Sequence, residues 1–385
     1  ARSPSSVRFS SEMSANKKPK VSHNGNGADS SAILASVKDY YGKVLSTSKD
    51  LKTSACCAAG KPHPALLEIF KKIPKEVTEK FYGCGSPLPF GIDGLRVLDL
   101  GSGSGRDCYA AAALVGEKGS VVGIDMTDEQ LSVSRDHASD FCTKTLGYKK
   151  CNLSFIKGYI ECLTDAGVKP GSCDIVISNC VVNLSPDKKA VINEVYRALA
   201  PGGEFYFSDV YCDRRLPEHV QKHEVLWGEC LAGALYDKDF ERYARAAGFA
   251  DPRILSVAPI EVEDYELLKV VGQAKFYSIT YRLFKLPNLL ETLCEDYGQA
   301  VKYKGTIPGS EDAYRLDAGH LFEKDKLALV CGNSAAMCGE DGLCWLSRHF
   351  EIIGDRKVHY GLFPCGPKDG SIQVTDGGCG PGGCC

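Results

Sequence analysis

Two sets of residues in this chain have types and spacing suited to chemistry: one glycine loop and a large number of thiols. The loop reads Asp99-Leu100-Gly101-Ser102-Gly103-Ser104-Gly105 and runs into Arg106 and Asp107. Glycines there permit a tight turn and let a ligand approach the backbone. A dinucleotide fingerprint would place its third glycine where Arg106 stands. Asp125 follows about 20 residues on, at the end of the next apolar run, where an acid can accept both hydroxyls of a ribose. The combination predicts a nucleoside-bearing ligand, and a nicotinamide or other nucleotide domain is the alternative it leaves open.

Cysteine supplies 19 of the 385 residues. A chain with this many thiols and no apolar leader reads as a reduced, cytoplasmic protein that uses some of them for soft-metal or redox chemistry. Cys180, between Asn179 and Val181, follows the fourth apolar run. Cys230 lies in VLWGECLAGALY, after the fifth, where such folds build a substrate lid. Cys84 has a glycine on each side, which predicts a sterically open thiol. Cys56 and Cys57 are adjacent. No C-x-x-C pair occurs, which counts against a zinc knuckle or a thioredoxin-like site.

The elements that must position these groups alternate. SAILASVKDYYGKVL and HPALLEIFKKIP are helical candidates. RVLDL, SVVGID, LSFIKG, DIVISN and GEFYFSDV are strands separated by helices. Thr127 and Gln130 have capping-box spacing. Ser185 and Pro186 read as the N-cap and first residue of a helix that stops at Pro201-Gly202-Gly203. RILSVAPIEV and KFYSITYRLFK read as late strands at an antiparallel edge. The alternation predicts a parallel, doubly wound α/β sheet, with ligands at the carboxyl ends of its strands. The expected division is a disordered tail over 1–30, a cofactor domain over 31–210, a region completing the sheet over 211–287, and a smaller domain with a Cys-rich tail over 288–385.

A net charge of −3 removes the electrostatic footprint of a nucleic-acid binder. No apolar run is long enough to span a membrane. The basic, Ser-containing N-terminus carries only a faint sign of organellar targeting. Nothing in the sequence demands more than a monomer.

The loop, Asp125 and the Pro-Gly-Gly turn resemble the class I S-adenosylmethionine-dependent methyltransferases. YYGKVL, FYGCG, LDLGSGSGRDCY, GIDMT, GYIE, SNCVVNL, YFSDVY and LWGEC, in order from Val37 to Lys285, resemble more narrowly the arsenite S-adenosylmethionine methyltransferases. The resemblance implies a Rossmann-like class I methyltransferase domain with an inserted metalloid-binding region. It implies that Cys84, Cys180 and Cys230 bind trivalent arsenic, with Cys56 as a further redox thiol. It places Tyr82, Asp99, Gly101, Ser102, Gly103, Gly105, Arg106, Asp107, Asp125, Met126, Gln130, Gly158, Tyr159, Ile160, Glu161, Asn179 and Val181 on the cofactor. Phe81 stands where the family has a tyrosine, and Cys57 is an extra thiol.

Soft trivalent arsenic prefers thiolates. Three of them would leave its lone pair free to attack the methyl of the sulfonium. Methyl transfer oxidises arsenic, and a thiol pair closing to a disulfide returns the two electrons. Cys56 and Cys84 fit that role by resemblance, followed by a cellular thiol reductant such as the glutathione or thioredoxin system. The substrate would be arsenite or its thiol conjugate. Tyr82 is either a contact for the sulfonium or a core residue, and Glu229 is a candidate base for loading thiols. Cys108, Cys142, Cys151, Cys162, Cys173 and Cys212 read as small buried hydrophobes. Cys294, Cys331, Cys338, Cys344 and Cys365 have irregular spacing, and a zinc or arsenic site among them is the weaker reading. The tail from Gly377, with Cys379, Cys384 and Cys385, reads as dispensable or as a metalloid scavenger.

Overall fold

The computed structural model describes residues 27–40 and 62–365. Cys56, Cys57 and the C-terminal thiols from Cys379 onward lie outside them. So does most of the expected tail, although the first helix, Gly27–Asp39, begins before Ser31, where order was expected to start.

Eight strands make the main sheet: β1 Arg96–Leu100, β2 Ser120–Asp125, β3 Leu153–Lys157, β4 Cys173–Asn179, β5 Leu199–Cys212, β6 Leu235–Tyr236, β7 Arg253–Ile260 and β8 Phe276–Phe284. Their order is β3-β2-β1-β4-β5-β8-β7, with β6 beside β5. β1 pairs in parallel with both β2 and β4, so the strand order reverses there and leaves a crevice at the carboxyl ends. β8 runs antiparallel between β5 and β7, as the late strands led one to expect. This is the mixed, Rossmann-like sheet that the resemblance to class I methyltransferases leads one to expect. Near-continuous apolar runs suit its central strands because both faces are covered.

Local chemistry departs from the sequence reading at three places. The helix Asp128–Asp136 starts where Thr127 was expected to cap it, but no capping bond forms from that side chain. Asp187, not Ser185, caps the helix Lys188–Ala198 by accepting from the amide of Ala190. That helix ends at Ala198, and Pro201-Gly202-Gly203 already belongs to β5. Gly202 has φ +84°, and a Cβ there would sit 1.9 Å from the carbonyl oxygen of Leu343. The turn is therefore a close backbone approach to the C-terminal region as well as a bend.

The C-terminal residues form small ribbons: β9 Glu295–Asp296, β10 Ala300–Tyr303, β11 Ala313–Asp317, β12 His320–Glu323, β13 Leu327–Leu329, β14 Phe350–Ile353 and β15 Gly361–Leu362. They do not build a separate core. Tyr303, Leu316, Trp345 and Phe350 share one apolar cluster with Val97, Val121 and Ile175 of the main sheet. Buried ion pairs stitch the seam. Arg282 of β8 grips Glu204 of β5 at 2.6 and 2.9 Å, and the indole of Trp345 donates to the same carboxylate at 2.9 Å. Arg253 of β7 pairs with Asp251 at 2.7 Å and Asp317 at 2.8 Å. No helix among the described residues is long and apolar enough to cross a membrane.

Candidate active site

The carboxyl ends of β1 to β4 border a cleft of about 930 Å³, its open mouth included. Its floor is the glycine loop. Gly101 and Gly103 have φ of +63° and +53°, and a Cβ at Gly103 would meet nothing within 4 Å, so the backbone lies bare towards the cleft. Asp125 ends β2. One of its oxygens accepts from the amide of Gly103 at 2.9 Å and the other from Thr127 at 2.8 Å. Burial pushes its carboxyl up, and those amides only partly offset the effect. Asp99 is pushed well above the usual carboxylate range, first by burial and then by the charge of Asp107. Three carboxylates thus surround the loop.

Most of the residues assigned to a cofactor from sequence meet in this cleft. Tyr82, Asp99, Gly101, Ser102, Gly103, Asp107, Asp125, Met126, Gln130, Gly158, Tyr159, Ile160, Glu161, Asn179 and Val181 all line it. Gly105 and Arg106 do not. Gly105 has φ +97°, and a Cβ there would press on Phe155 at 2.8 Å, so it serves helix–strand packing. Arg106 turns away, with its guanidinium against Asp107 and over the rings of Phe81 and Phe70. Leu34, Val37, Lys80, Phe81, Ser104, Thr127, Leu184 and Ser185 also line the cleft, although none was assigned to the cofactor from sequence. Ser185 donates to Glu161 at 2.5 Å and accepts from the amide of Asp187 at 3.1 Å, the residue before the helix, and Asp187 takes the cap itself. Glu161 is raised by burial.

The thiols converge at one end. Cys84 and Cys180 are joined in a disulfide with Cα atoms 5.7 Å apart. The thiol of Cys230 points at the carbonyl oxygen of Cys180 at 3.3 Å. The three share an apolar cluster with Val37, Leu184, Val210 and Leu226. Cys180 itself lines the cleft. Sequence reading made Cys84 an open thiol with Cys56 as its disulfide partner. Here Cys84 is fully buried and its partner is Cys180. The flanking glycines do a different job. Asn179 accepts from the amide of Gly85 and donates to its carbonyl, and a Cβ at Gly83 would lie 2.7 Å from Asn179. The glycines therefore let the loop close against β4. Ser278 of β8 holds the carbonyl of Cys84 at 3.0 Å.

Cys180 and Cys230 have φ of +58° and +62°. Non-glycine residues there carry roughly 1–2 kcal/mol of strain, and only a surrounding structure that dictates the conformation maintains it. Lys188 was not foreseen, and nothing in its sequence context marks it. Its ammonium donates to the carbonyl of Ser185, and burial lowers its pKa to about 8 despite the charges of Asp209, Glu161 and Cys230 nearby. A cation beside a thiol favours the thiolate. Asp209 is raised by burial to about 6. Glu229 is buried and accepts from the hydroxyl of Tyr40 at 3.2 Å.

A second thiol group lies outside the cleft. The sulfurs of Cys294, Cys331 and Cys365 are all within 4.8 Å of one another. A hydrogen bond from Cys294, helped by Ser334 and Arg253, holds the Cys331 thiol well below its usual range against the effect of burial.

Residues 92–248 match a methyltransferase domain family. An arsenite methyltransferase of Aquipseudomonas alcaligenes is 51% identical over 344 residues, 88% of this chain and 97% of that protein. The chain belongs to the arsenite methyltransferase family. A mouse arsenite methyltransferase is 45% identical over 80% of this chain and 81% of its own. The crystal structure of an arsenic(III) S-adenosylmethionine methyltransferase from Chlamydomonas reinhardtii superposes with a TM-score of 0.76 at 59% identity, covering 79% of this chain and all of that one. As an arsenite methyltransferase family member, the chain joins a class I methyltransferase cleft to a converging set of thiols.

Proposed function

We propose that the chain methylates trivalent arsenic held by the thiols of Cys84, Cys180 and Cys230, with S-adenosylmethionine as methyl donor, and so detoxifies arsenic. The observation that carries this reading is the meeting of those three residues, distant in sequence, at the end of a cleft built on the glycine loop and Asp125.

The cleft fits the donor. The bare backbone at Gly103 admits a close ligand, and Asp125 stands where a ribose would be held. The cofactor supplies an electrophilic methyl on a sulfonium. The chain's own residues do the rest. The glycine loop and Asp125 hold the nucleoside, Asn179 fixes the loop that carries Cys84, and the apolar cluster around the thiols keeps water out. Orientation of two bound reactants of this kind supplies about 7–11 kcal/mol in favourable cases. The charge of Lys188 favours a thiolate at Cys230 for loading.

The Cys84–Cys180 bond, with Cα atoms 5.7 Å apart, supports the reading that two of the proposed ligands can reach one atom. Two electrons from a cellular thiol, glutathione or the thioredoxin system, would open it to two thiols and free the site for arsenite or its thiol conjugate. Reduction of the pentavalent product takes two electrons from a pair of protein thiols, which close to a disulfide. Cys56 is the further thiol proposed for that step, and it lies outside the described residues. The reducing demand and the many thiols favour a cytoplasmic setting. A monomer is the assembly proposed.

Incubation with S-adenosylmethionine, arsenite and a small thiol, followed by separation of arsenic species, tests the reading. Methylated arsenic is expected from the native chain, with turnover reduced by more than about 100-fold in Cys180→Ser and Cys230→Ser. Native-level turnover in either variant would overturn the ligand assignment.

A further inference from the structure

Cys294, Cys331 and Cys365 belong to three separate stretches, and pairing brings them together. Cys294 precedes β9 and Cys365 follows β15, the two strands of one ribbon. The amide of Phe363 donates to the carbonyl of Cys294 at 2.8 Å, which sets the two thiol-bearing segments side by side. Cys331 stands before the helix Gly332–Cys338 and is fully buried. Ser334 lies 3.4 Å from its sulfur and Arg253 3.9 Å. None of the three cysteines lines the cleft.

We infer that these three thiols form a second site for a soft trivalent metalloid, and that arsenite binds there without being methylated. The cluster has three sulfurs, and among the described residues no histidine or carboxylate joins them within the same distance. Structural zinc sites are closed by four ligands, whereas trivalent arsenic is complete with three thiolates and a lone pair. Charge points the same way. Arg253 beside the cluster is already shared between Asp251 and Asp317. A three-thiolate zinc centre would add an unpaired negative charge to a buried place, and a three-thiolate arsenic centre is neutral. Binding is an exchange without electron transfer: arsenous acid and three thiols form three As–S bonds and release three waters. Filling the site would tie the end of the β9–β15 ribbon to the start of the helix after Cys331.

The test needs no turnover, so it stands or falls separately from the function proposed for the cleft. The full-length chain carrying Cys84→Ser, Cys180→Ser and Cys230→Ser is loaded with arsenite and gel-filtered. Bound arsenic is then counted and its sulfur neighbours read by X-ray absorption. Adding Cys331→Ser or Cys365→Ser is expected to remove about one equivalent of arsenic per chain, as expected when a three-thiolate soft site loses one ligand. Arsenite is also expected to raise the melting temperature of the first protein and not of the Cys365→Ser version. Melting without arsenite identifies a variant that fails to fold; Cys365 is only partly buried, so its replacement decides if the Cys331→Ser protein is lost. Unchanged arsenic content in both added variants would overturn the proposal. So would zinc retained at the cluster in competition with arsenite.

Discussion

The carboxylates of the cleft and those of the seam beneath it are buried to similar depth and treated in opposite ways. In the cleft Asp99 and Asp125, and near it Asp209, are all pushed up by burial; amides are the main support of Asp125 and Asp209, and the Cys108 thiol is that of Asp99. At the seam, Glu204 faces Arg282 and the indole of Trp345, and Asp317 faces Arg253 and His320. Burial pushes Asp317 up as well, but the hydrogen bond to His320 and the charge of Arg253 outweigh it and hold the carboxyl at about 2. The seam satisfies its charges internally and so holds the C-terminal ribbons to the sheet. Among the described residues the cleft pairs Asp107 with Arg106 at 2.8 Å but gives Asp99 and Asp125 no ion pair, as suits a site that waits for a ligand carrying hydroxyls and a positive sulfonium.

The contrast breaks most easily at Arg282. Arg282→Met strands Glu204 at a fully buried position and is expected to cost about 3–5 kcal/mol in denaturant unfolding, with cofactor affinity unchanged in the folded fraction. Adding Glu204→Leu is expected to restore most of that loss. A single variant that keeps its stability but loses cofactor binding would show that seam and cleft are not separate.

A smaller effect is expected from acid. With its pKa held at about 2 against an ordinary 3.8, Asp317 contributes stability at every pH above its unfolded value, and that stability is lost as pH falls through about 2. The contribution is about 2 kcal/mol. Unfolding measured from pH 5 to pH 2 should fall by about that much more in the native chain than in Asp317→Asn. Parallel curves would remove Asp317 from the seam's account.

Asp125→Ala sharpens the contrast from the other side. Affinity for S-adenosylhomocysteine by calorimetry is expected to drop about 10–100-fold through loss of charged hydrogen bonds. The melting temperature should fall less than in Arg282→Met, because two amides beside an open cleft, and no buried charge, lose their partner. A large loss of stability with intact affinity would put Asp125 on the structural side.

Much of this was legible in the sequence because short range encodes it. The glycine loop, Asp125 and the segment around Cys180 sit at strand ends, and strand ends follow from apolar runs. What pairing decides was not legible. The glycines beside Cys84 looked like freedom for a thiol, but Gly83 makes room for Asn179 and Gly85 for Ser208, both far away in the chain. Ser185 looked like a cap because Pro186 follows it, but the helix starts two residues later than that pattern implies, and the Ser185 hydroxyl serves the Asp187 amide and Glu161 instead. Cys294, Cys331 and Cys365 looked scattered because their common place depends on the pairing of β9 with β15. Lys188 carries no local mark, since its role depends on what surrounds it.

The left-handed backbone at Cys180 and Cys230 has a consequence for the laboratory evolution of this enzyme. Glycine relieves that strain, so a screen rewarding heat resistance alone would push the two positions proposed as arsenic ligands towards glycine wherever that relief exceeds what the buried side chain and, at Cys180, the disulfide contribute. Such descendants would lack the proposed thiols, and a selection that includes arsenic would tell whether the less comfortable residue is kept for its chemistry.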